Sequence, residues 1–157
     1  MSDDSYSIDK AEPIKRLAAF VADVVIASIP VFVFWLVYPL IGWVLYTLYL
    51  LMRDGLEYPF MDRRSVGKYF LNLRPITIDG GYTDLRASFL RNWPIALAGP
   101  VYAANAVGAK EAWIGMNGLG LLALVIIVIE ALATLTNEPG RRLGDRMAGT
   151  LVKNESI

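Results

Sequence analysis

One long apolar segment near the N-terminus constrains this chain more than any other feature. Residues 17 to about 35 are almost all apolar, and Asp23 and Pro30 are the main interruptions. A helix of this length crosses the hydrocarbon core of a bilayer, which is about 30 Å thick. No small-residue cleavage site of the signal-peptide type accompanies the segment, so we expect a retained transmembrane helix. The composition agrees, because 55% of the 157 residues are hydrophobic, more than a soluble domain usually carries.

Three further apolar segments follow, at residues 40–52, 93–107 and 119–135. We therefore predict four transmembrane helices, at about residues 16–36, 38–55, 90–108 and 116–136. They belong to a single domain of residues 14–153 that follows a polar tail of residues 1–13. The break at Tyr38-Pro39 allows only a short connection, so the first two helices should form a tight antiparallel hairpin. The predicted fold class is an all-α membrane protein, a four-transmembrane-helix bundle.

A small cytoplasmic element is expected beside this bundle, built from residues 56–89 and 140–153. Residues 73–78 partly alternate in polarity and lead into Asp79-Gly80-Gly81, a turn signal. A short strand and turn are the simplest interpretation, and Thr83 is then expected to cap an amphipathic interfacial helix. The C-terminal basic motif ends in a second predicted strand, a candidate partner for residues 73–78.

The positions of the basic residues predict the orientation of the helices. Lysine and arginine are enriched on the cytoplasmic flanks of membrane helices. Of the 15 basic residues, Lys110 alone lies between the third and fourth predicted helices. Four spans with both termini in the cytoplasm place all the others on one side of the membrane, whereas three or five spans would not.

The sequence also contains a faint internal echo. Val66-Gly67-Lys68 and Leu143-Gly144-Asp145 are similar, and each precedes a predicted strand. Each half of the chain would then be a helical hairpin followed by a glycine motif and a strand, a parallel repeat of the kind known in transport proteins. The alternative is coincidence, because matches this short also arise by chance.

The composition excludes several classes of protein. Cysteine and histidine are both absent, so disulfides, thiolate metal sites, zinc sites and Ser-His-Asp hydrolases lack their usual parts. The 15 basic and 15 acidic residues cancel and give no argument for a nucleic-acid partner. No Walker-type glycine loop surrounds Gly67-Lys68. We expect no enzymatic activity, no cofactor and no metal site.

Three motifs in order resemble the RDD family of small bacterial membrane proteins. They are the run KRLAAFVAD of residues 15–23, Ser65-Val66-Gly67-Lys68 with Ile78-Asp79-Gly80, and the run RLGDRMAGT of residues 142–150. The resemblance covers residues 15 to about 152. It departs from the family at Ser65, where many relatives have threonine, and at Gly144, where many have histidine. The second departure removes a group that could titrate near neutral pH.

The resemblance implies both a set of motif residues and a location. The family is named for an arginine that begins its first helix, an aspartate within that helix and a second aspartate, which match Arg16, Asp23 and Asp145. It implies a multi-pass protein of the bacterial plasma (inner) membrane. Members are suspected of transport, and one is similar in activity to a cation/proton antiporter.

Two carboxylates in predicted membrane helices are the candidates for binding ions or protons. An ionised carboxylate inside hydrocarbon costs at least a few kcal/mol unless it is paired, hydrated or protonated. Asp23 and Glu130 would lie at similar depth on the cytoplasmic side, where they could share a monovalent cation or protons. The alternatives are a structural contact for Asp23, and an ion pair of Glu130 with Arg91 or Arg53.

A set of basic residues offers contacts to lipid phosphate or structural ion pairs. They could bind lipid phosphates, form structural ion pairs, or serve only as a positive-inside signal. These residues are Arg16, Lys68, Arg91, Arg141, Arg142 and Arg146. Four of them, Arg16, Arg141, Arg142 and Arg146, could instead hold Asp145 in an ionic network.

The sequence thus favours a small transporter or transport-associated protein, exchanging monovalent cations for protons through intramembrane carboxylates. Because four helices enclose little aqueous space, we expect a homo-oligomer surrounded by membrane lipids. The alternative is a membrane scaffold without transport activity, which binds lipid headgroups or a partner protein through its basic cytoplasmic face.

Overall fold

The structure, a computed structural model, is mostly helical and describes residues 10–34, 36–97, 99–101, 103, 113–136 and 141–155. Its helices are α1 (Pro13–Phe34), α2 (Pro39–Met52), α3 (Val66–Phe70), α4 (Leu85–Ala96), α5 (Trp113–Thr136) and α6 (Leu143–Met147); its strands are β1 (Leu73–Thr77) and β2 (Thr150–Asn154). The predictions for residues 1–9, for the end of the third membrane helix at 104–108 and for residue 140 lie outside the described residues.

Helix α1 packs its small and polar side inward and exposes its large apolar side. The buried positions are Ala19, Asp23, Ala27 and Val31, spaced four residues apart. Ile29 is 56% exposed and Phe32 is 85% exposed. A helix on the surface of a soluble protein shows the opposite pattern, whereas membrane helices pack through small residues and present large apolar ones to lipid. Within the described residues, α1 is also the one helix long and apolar enough to cross a membrane.

The predicted hairpin of the first two helices is confirmed. Helices α1 and α2 pack together closely, and Pro39 begins α2, where its missing N–H has no cost. The contact is tightest at Gly42, since a Cβ there would lie 2.6 Å from Val31 Cα. Leu50 and Ala27 then meet Ile95 and Ala96 of α4 in an apolar cluster.

Helix α4 corrects one predicted boundary. The sequence suggested an interfacial helix capped by Thr83 and a separate membrane helix from about residue 90. One helix instead runs from Leu85 through Pro94 to Ala96, and its cap is Asp84, whose Oδ1 accepts a hydrogen bond from the Ala87 N–H at 2.6 Å. The side chain of Ser88, fully buried against α2, donates to the carbonyl of Leu51. This tertiary contact explains why the helix begins early.

The predicted strand pair is also confirmed. Strands β1 and β2 pair antiparallel, with Leu73 opposite Asn154 and Thr77 opposite Thr150. Leu73 and Val152 pack with Ala11 and Ala19 in a second apolar cluster. The two-stranded sheet therefore packs on the beginning of α1.

The echo between the two glycine motifs has a local structural counterpart. Helices α3 and α6 each have five residues, and two residues separate each from its strand. In each motif the glycine N–H meets a carboxylate of a long helix: Gly67 N donates to Asp23 Oδ1 at 2.8 Å, and Gly144 N donates to Glu130 Oε1 at 3.0 Å. The two motifs thus have the same local construction around the antiparallel sheet.

Candidate functional site

Asp23 lies at the junction of three helices with both carboxylate oxygens bonded. Its Oδ1 accepts hydrogen bonds from Tyr49 OH at 3.0 Å and Gly67 N at 2.8 Å. Its Oδ2 accepts one from Arg53 Nη1 at 2.8 Å. Asp23 is fully buried, and a buried charge is tolerated when it is paired and hydrogen-bonded in this way. These contacts favour the structural interpretation of Asp23.

From Arg53 the polar network continues into α4. Arg53 Nη2 donates to Asn92 Oδ1 at 3.3 Å, and Asn92 Nδ2 donates to Asp54 Oδ2 at 3.3 Å. Lys68 Nζ binds the other oxygen of Asp54 at 2.6 Å. Asn92 and Asp54 are fully buried, so these bonds join α2, α3 and α4 in the interior.

Asp145, the second family aspartate, completes the network. Arg16 Nη2 lies 2.6 Å from Asp145 Oδ2, and Arg91 Nε lies 3.0 Å from Asp145 Oδ1. Arg91 Nε is also 3.4 Å from Asp54 Oδ2, so it bridges two carboxylates. The predicted ionic network around Asp145 is present, and Arg16 belongs to it.

Glu130 has an unusual environment for a buried carboxylate. Only 2% of the residue is exposed. While Oε1 accepts the Gly144 N–H, Oε2 has no hydrogen-bond partner among the described residues. Gly144 N, and not Arg91 or Arg53, is therefore the partner of this carboxylate.

Glu130 lines a cavity of about 150 Å³. This volume accommodates several water molecules or a small ion. Most of the cavity surface is apolar, and Leu17, Phe20, Ile95 and Ile127 contribute to it. Five cationic side chains also border the cavity, namely Arg16, Arg53, Lys68, Arg91 and Arg142. Asp23 is absent from the lining, so the cavity does not bring the two candidate carboxylates together.

The electrostatics of the cluster reflect its excess of positive groups. Burial lowers the pKa of Lys68 from 10.5 to about 7; Asp54 opposes this shift, while Arg53 and Arg91 add to it. Burial alone would raise the pKa of Asp145, but Arg91, Arg142 and Arg16 together hold it well below its ordinary value of 3.8. The cluster therefore stabilises the ionised form of Asp145 and destabilises the charged form of Lys68.

The lowered pKa of Asp145 predicts acid sensitivity. A carboxylate with a depressed folded pKa contributes stability above its unfolded pKa, and this contribution is lost as the pH falls through the folded value. Removing the charge of Arg16 should bring the folded-state pKa of Asp145 closer to its ordinary value of 3.8. On acidification below pH 3.8, we therefore expect Arg16→Gln to lose less stability than the wild type, by on the order of 1–3 kcal/mol.

Unfolding of the purified protein between pH 7 and pH 2, followed by tryptophan fluorescence, measures this difference. Lys15→Gln is the matched control, because Lys15 is exposed and its ion-pair partner is the likewise exposed Glu12. Other buried carboxylates titrate equally in all three proteins. If Arg16→Gln and the wild type lost equal stability on acidification, the claim that Arg16 lowers the pKa of Asp145 would be wrong.

The remaining basic candidates have different surroundings. Arg142 lines the cavity, and its Nη2 lies 3.5 Å from both Asn92 Oδ1 and Asp145 Oδ1. Arg141 donates to the backbone carbonyls of Thr150 and Asp145. The side chain of Arg146 is exposed. Of the C-terminal arginines, Arg142 is thus the one built into the interior.

Asp54, Asn92 and Tyr49 were not predicted as parts of the site, and Arg53 was predicted only as a possible partner of Glu130. Arg53 and Asp54 directly follow the second apolar segment. An opposite-charge pair adjoining an apolar run is a usable signal, because charges near hydrocarbon need partners. Nothing comparable marks Asn92 or Tyr49, whose roles depend on the packing of α2 against α4.

The exterior of α1 and the buried charge network together define a small helical membrane protein. The chain belongs to the RDD family, whose model matches residues 10–149. No curated protein and no solved structure matches the chain.

Proposed function

We propose that this protein is a small transporter or transport-associated protein in which Glu130 takes up and releases a proton at the cavity. One observation carries the proposal: a carboxylate of a predicted membrane helix lines a partly open cavity and has one oxygen unpartnered among the described residues. A buried polar atom without a partner is uncommon and invites a functional explanation.

Asp23 receives a different role in this proposal. Three donors occupy its oxygens and it does not line the cavity. We therefore assign proton exchange to Glu130 alone and treat Asp23 as a structural residue that positions Arg53 and Gly67. These contacts do not support a cation shared between Asp23 and Glu130. A second copy of the chain remains part of the proposal, since one cavity of this size is not a path across the membrane.

The test is proton flux into proteoliposomes that contain an internal pH-sensitive dye. The wild type should carry flux that depends on the salt gradient, measured with sodium, potassium, chloride and phosphate in turn. Glu130→Gln should lower the proton flux by about tenfold or more, because a side-chain amide does not take up and release a proton near neutral pH. Glu57→Gln is the matched control, as the Glu57 side chain is 75% exposed.

The main rival is a scaffold that binds lipid headgroups or a partner protein. The observation in its favour is that Arg86 of α4 and Arg146 of α6 are exposed. Negligible flux in the wild type and in both variants, with all three folded, would overturn transport. Loss of binding to anionic vesicles on replacing Arg86 and Arg146 would then support the scaffold.

A further inference from the structure

The cavity has more positive than negative groups around it. Five cationic side chains line it, together with one carboxylate, Glu130. Adding the three buried aspartates, Asp23, Asp54 and Asp145, still leaves four carboxylates against five cations among the residues that the structure describes. Unbalanced buried charge is costly, so an additional anion would be stabilised here.

Three arginines in the lining have donors to spare. Arg91 is 1% exposed, and its Nη1 has no hydrogen-bond partner among the described residues; the same holds for Arg53 Nε. In the described part of the chain, the guanidinium of Arg142 makes two hydrogen-bond contacts, both at 3.5 Å, which is long for a hydrogen bond. Buried guanidinium N–H groups are normally satisfied, and their planar geometry suits two oxygens of a phosphate or carboxylate.

We infer that the cavity between α1, α4 and α5 is a binding site for an oxyanion, a phosphate or carboxylate group held by Arg53, Arg91 and Arg142. The apolar part of the wall, with Leu17, Phe20 and Ile127, also accommodates hydrocarbon attached to such a group. The oxyanion comes either from a phospholipid headgroup or from a free anion, and both use the same donors.

The inference rests on the proposed function where it takes the cavity as the substrate site, and it names the substrate class. Glu130 opposes an anion unless it carries a proton, because two negative charges in one buried site repel. The oxyanion and the proton assigned to Glu130 would therefore occupy the cavity together. Glu130→Gln should therefore bind the anion more tightly, whereas at a cation site the same substitution would weaken ligand binding.

Binding is tested with the full chain, delipidated in a neutral detergent, by titrating inorganic phosphate at constant ionic strength. The thermal unfolding midpoint should rise saturably with phosphate, but not with sodium or potassium. Arg142→Gln should weaken phosphate binding about tenfold, as expected when a charge-assisted contact is lost. Arg146→Gln, the same change at an exposed position four residues further along the chain, should leave it unchanged. Glu130→Gln should bind phosphate more tightly.

A cavity-filling variant keeps the test decisive if Arg142→Gln does not fold. Ala131 lines the cavity and carries no charge, so Ala131→Leu should abolish the saturable phosphate effect. Val128→Leu is its control, because Val128 is 48% exposed on α5 and is not part of the lining. Equal phosphate affinity in the wild type and Ala131→Leu would place the anion elsewhere and overturn the inference.

Phosphorus analysis of protein purified in mild detergent separates the two sources. Stoichiometric phospholipid in the wild type that Arg142→Gln lacks identifies a lipid headgroup. Saturable phosphate binding without retained lipid identifies a free anion. Neither retained lipid nor a phosphate effect, or saturable stabilisation by sodium or potassium, would overturn the inference. These measurements do not depend on transport. Anion binding without proton flux would therefore refute the proposed transport function and still support the anion-binding site.

Discussion

Replacing Asp23 with alanine should lower the free energy of unfolding by about 3–5 kcal/mol, the cost of removing one partner from a buried ion pair. Arg53 would keep its charge in the interior, with its side chain 2% exposed, and Gly67 N and Tyr49 OH would lose their acceptor. The expected result is poor accumulation in the membrane and early unfolding of purified protein, measured by denaturant titration with tryptophan fluorescence.

Tyr49→Phe provides the graded comparison for Asp23→Ala. It removes one hydrogen bond to Asp23 and leaves the ion pair with Arg53 intact, so it should cost only about 1 kcal/mol. Asp79→Asn changes an exposed carboxylate and should have almost no effect. If Asp23→Ala were as stable as Asp79→Asn, the structural role that we assign to Asp23 would be wrong.

Replacing Gly144 with alanine should destabilise the protein by about 3 kcal/mol, near the upper end for overpacked sites. The added Cβ would collide with the backbone carbonyl oxygen of Arg91 and lie 2.8 Å from the carbonyl carbon. Backbone in α4 cannot move aside as a flexible side chain can. The shift would also disturb the bond from Gly144 N to Glu130. Thermal unfolding of the purified variant measures the loss.

Gly120→Ala is the matched control for this steric argument. A Cβ at Gly120 would meet Val101 Cγ1 at 3.8 Å, an ordinary van der Waals distance, and Gly120 lies inside α5. Alanine is favoured over glycine in a helix interior by up to about 1 kcal/mol. Gly120→Ala should therefore be neutral or stabilising, and equal losses in the two variants would contradict close packing at Gly144.

The apolar segments predicted most of the described helices, and local signals predicted the two strands. Pro39 and the glycine turn at Gly80 have local effects on the backbone that act wherever the chain folds. The continuity of α4 from Leu85 to Ala96 was not predictable in this way, because Ser88 and Asn92 are polar. Their burial against Asp54 and Leu51 depends on tertiary contacts.

The candidate site shows the same division. The motif residues Arg16, Asp23 and Asp145 were identified in the sequence, and each proved fully or largely buried in the polar network. The pairing was not predicted: Arg53 and Arg91 were considered as partners of Glu130, but they bind Asp23 and Asp145 instead. Asn92 was not considered at all, because its contacts depend on how segments far apart in the chain pack. Three expectations stay predictions from the sequence. They are the four membrane spans, the cytoplasmic location of both termini and the formation of an oligomer.

The sequence by itself determined that this chain makes long apolar helices, pairs two short strands and places ionisable groups close to hydrocarbon. Hydropathy, turn residues and charge are local properties, so they can be interpreted without knowing which segments meet. The tertiary structure alone decided that Asp23 is hydrogen-bonded at both oxygens, that Glu130 has one oxygen without a partner among the described residues, and that five cations line one cavity. These properties depend on distances between side chains of different helices, and packing sets those distances.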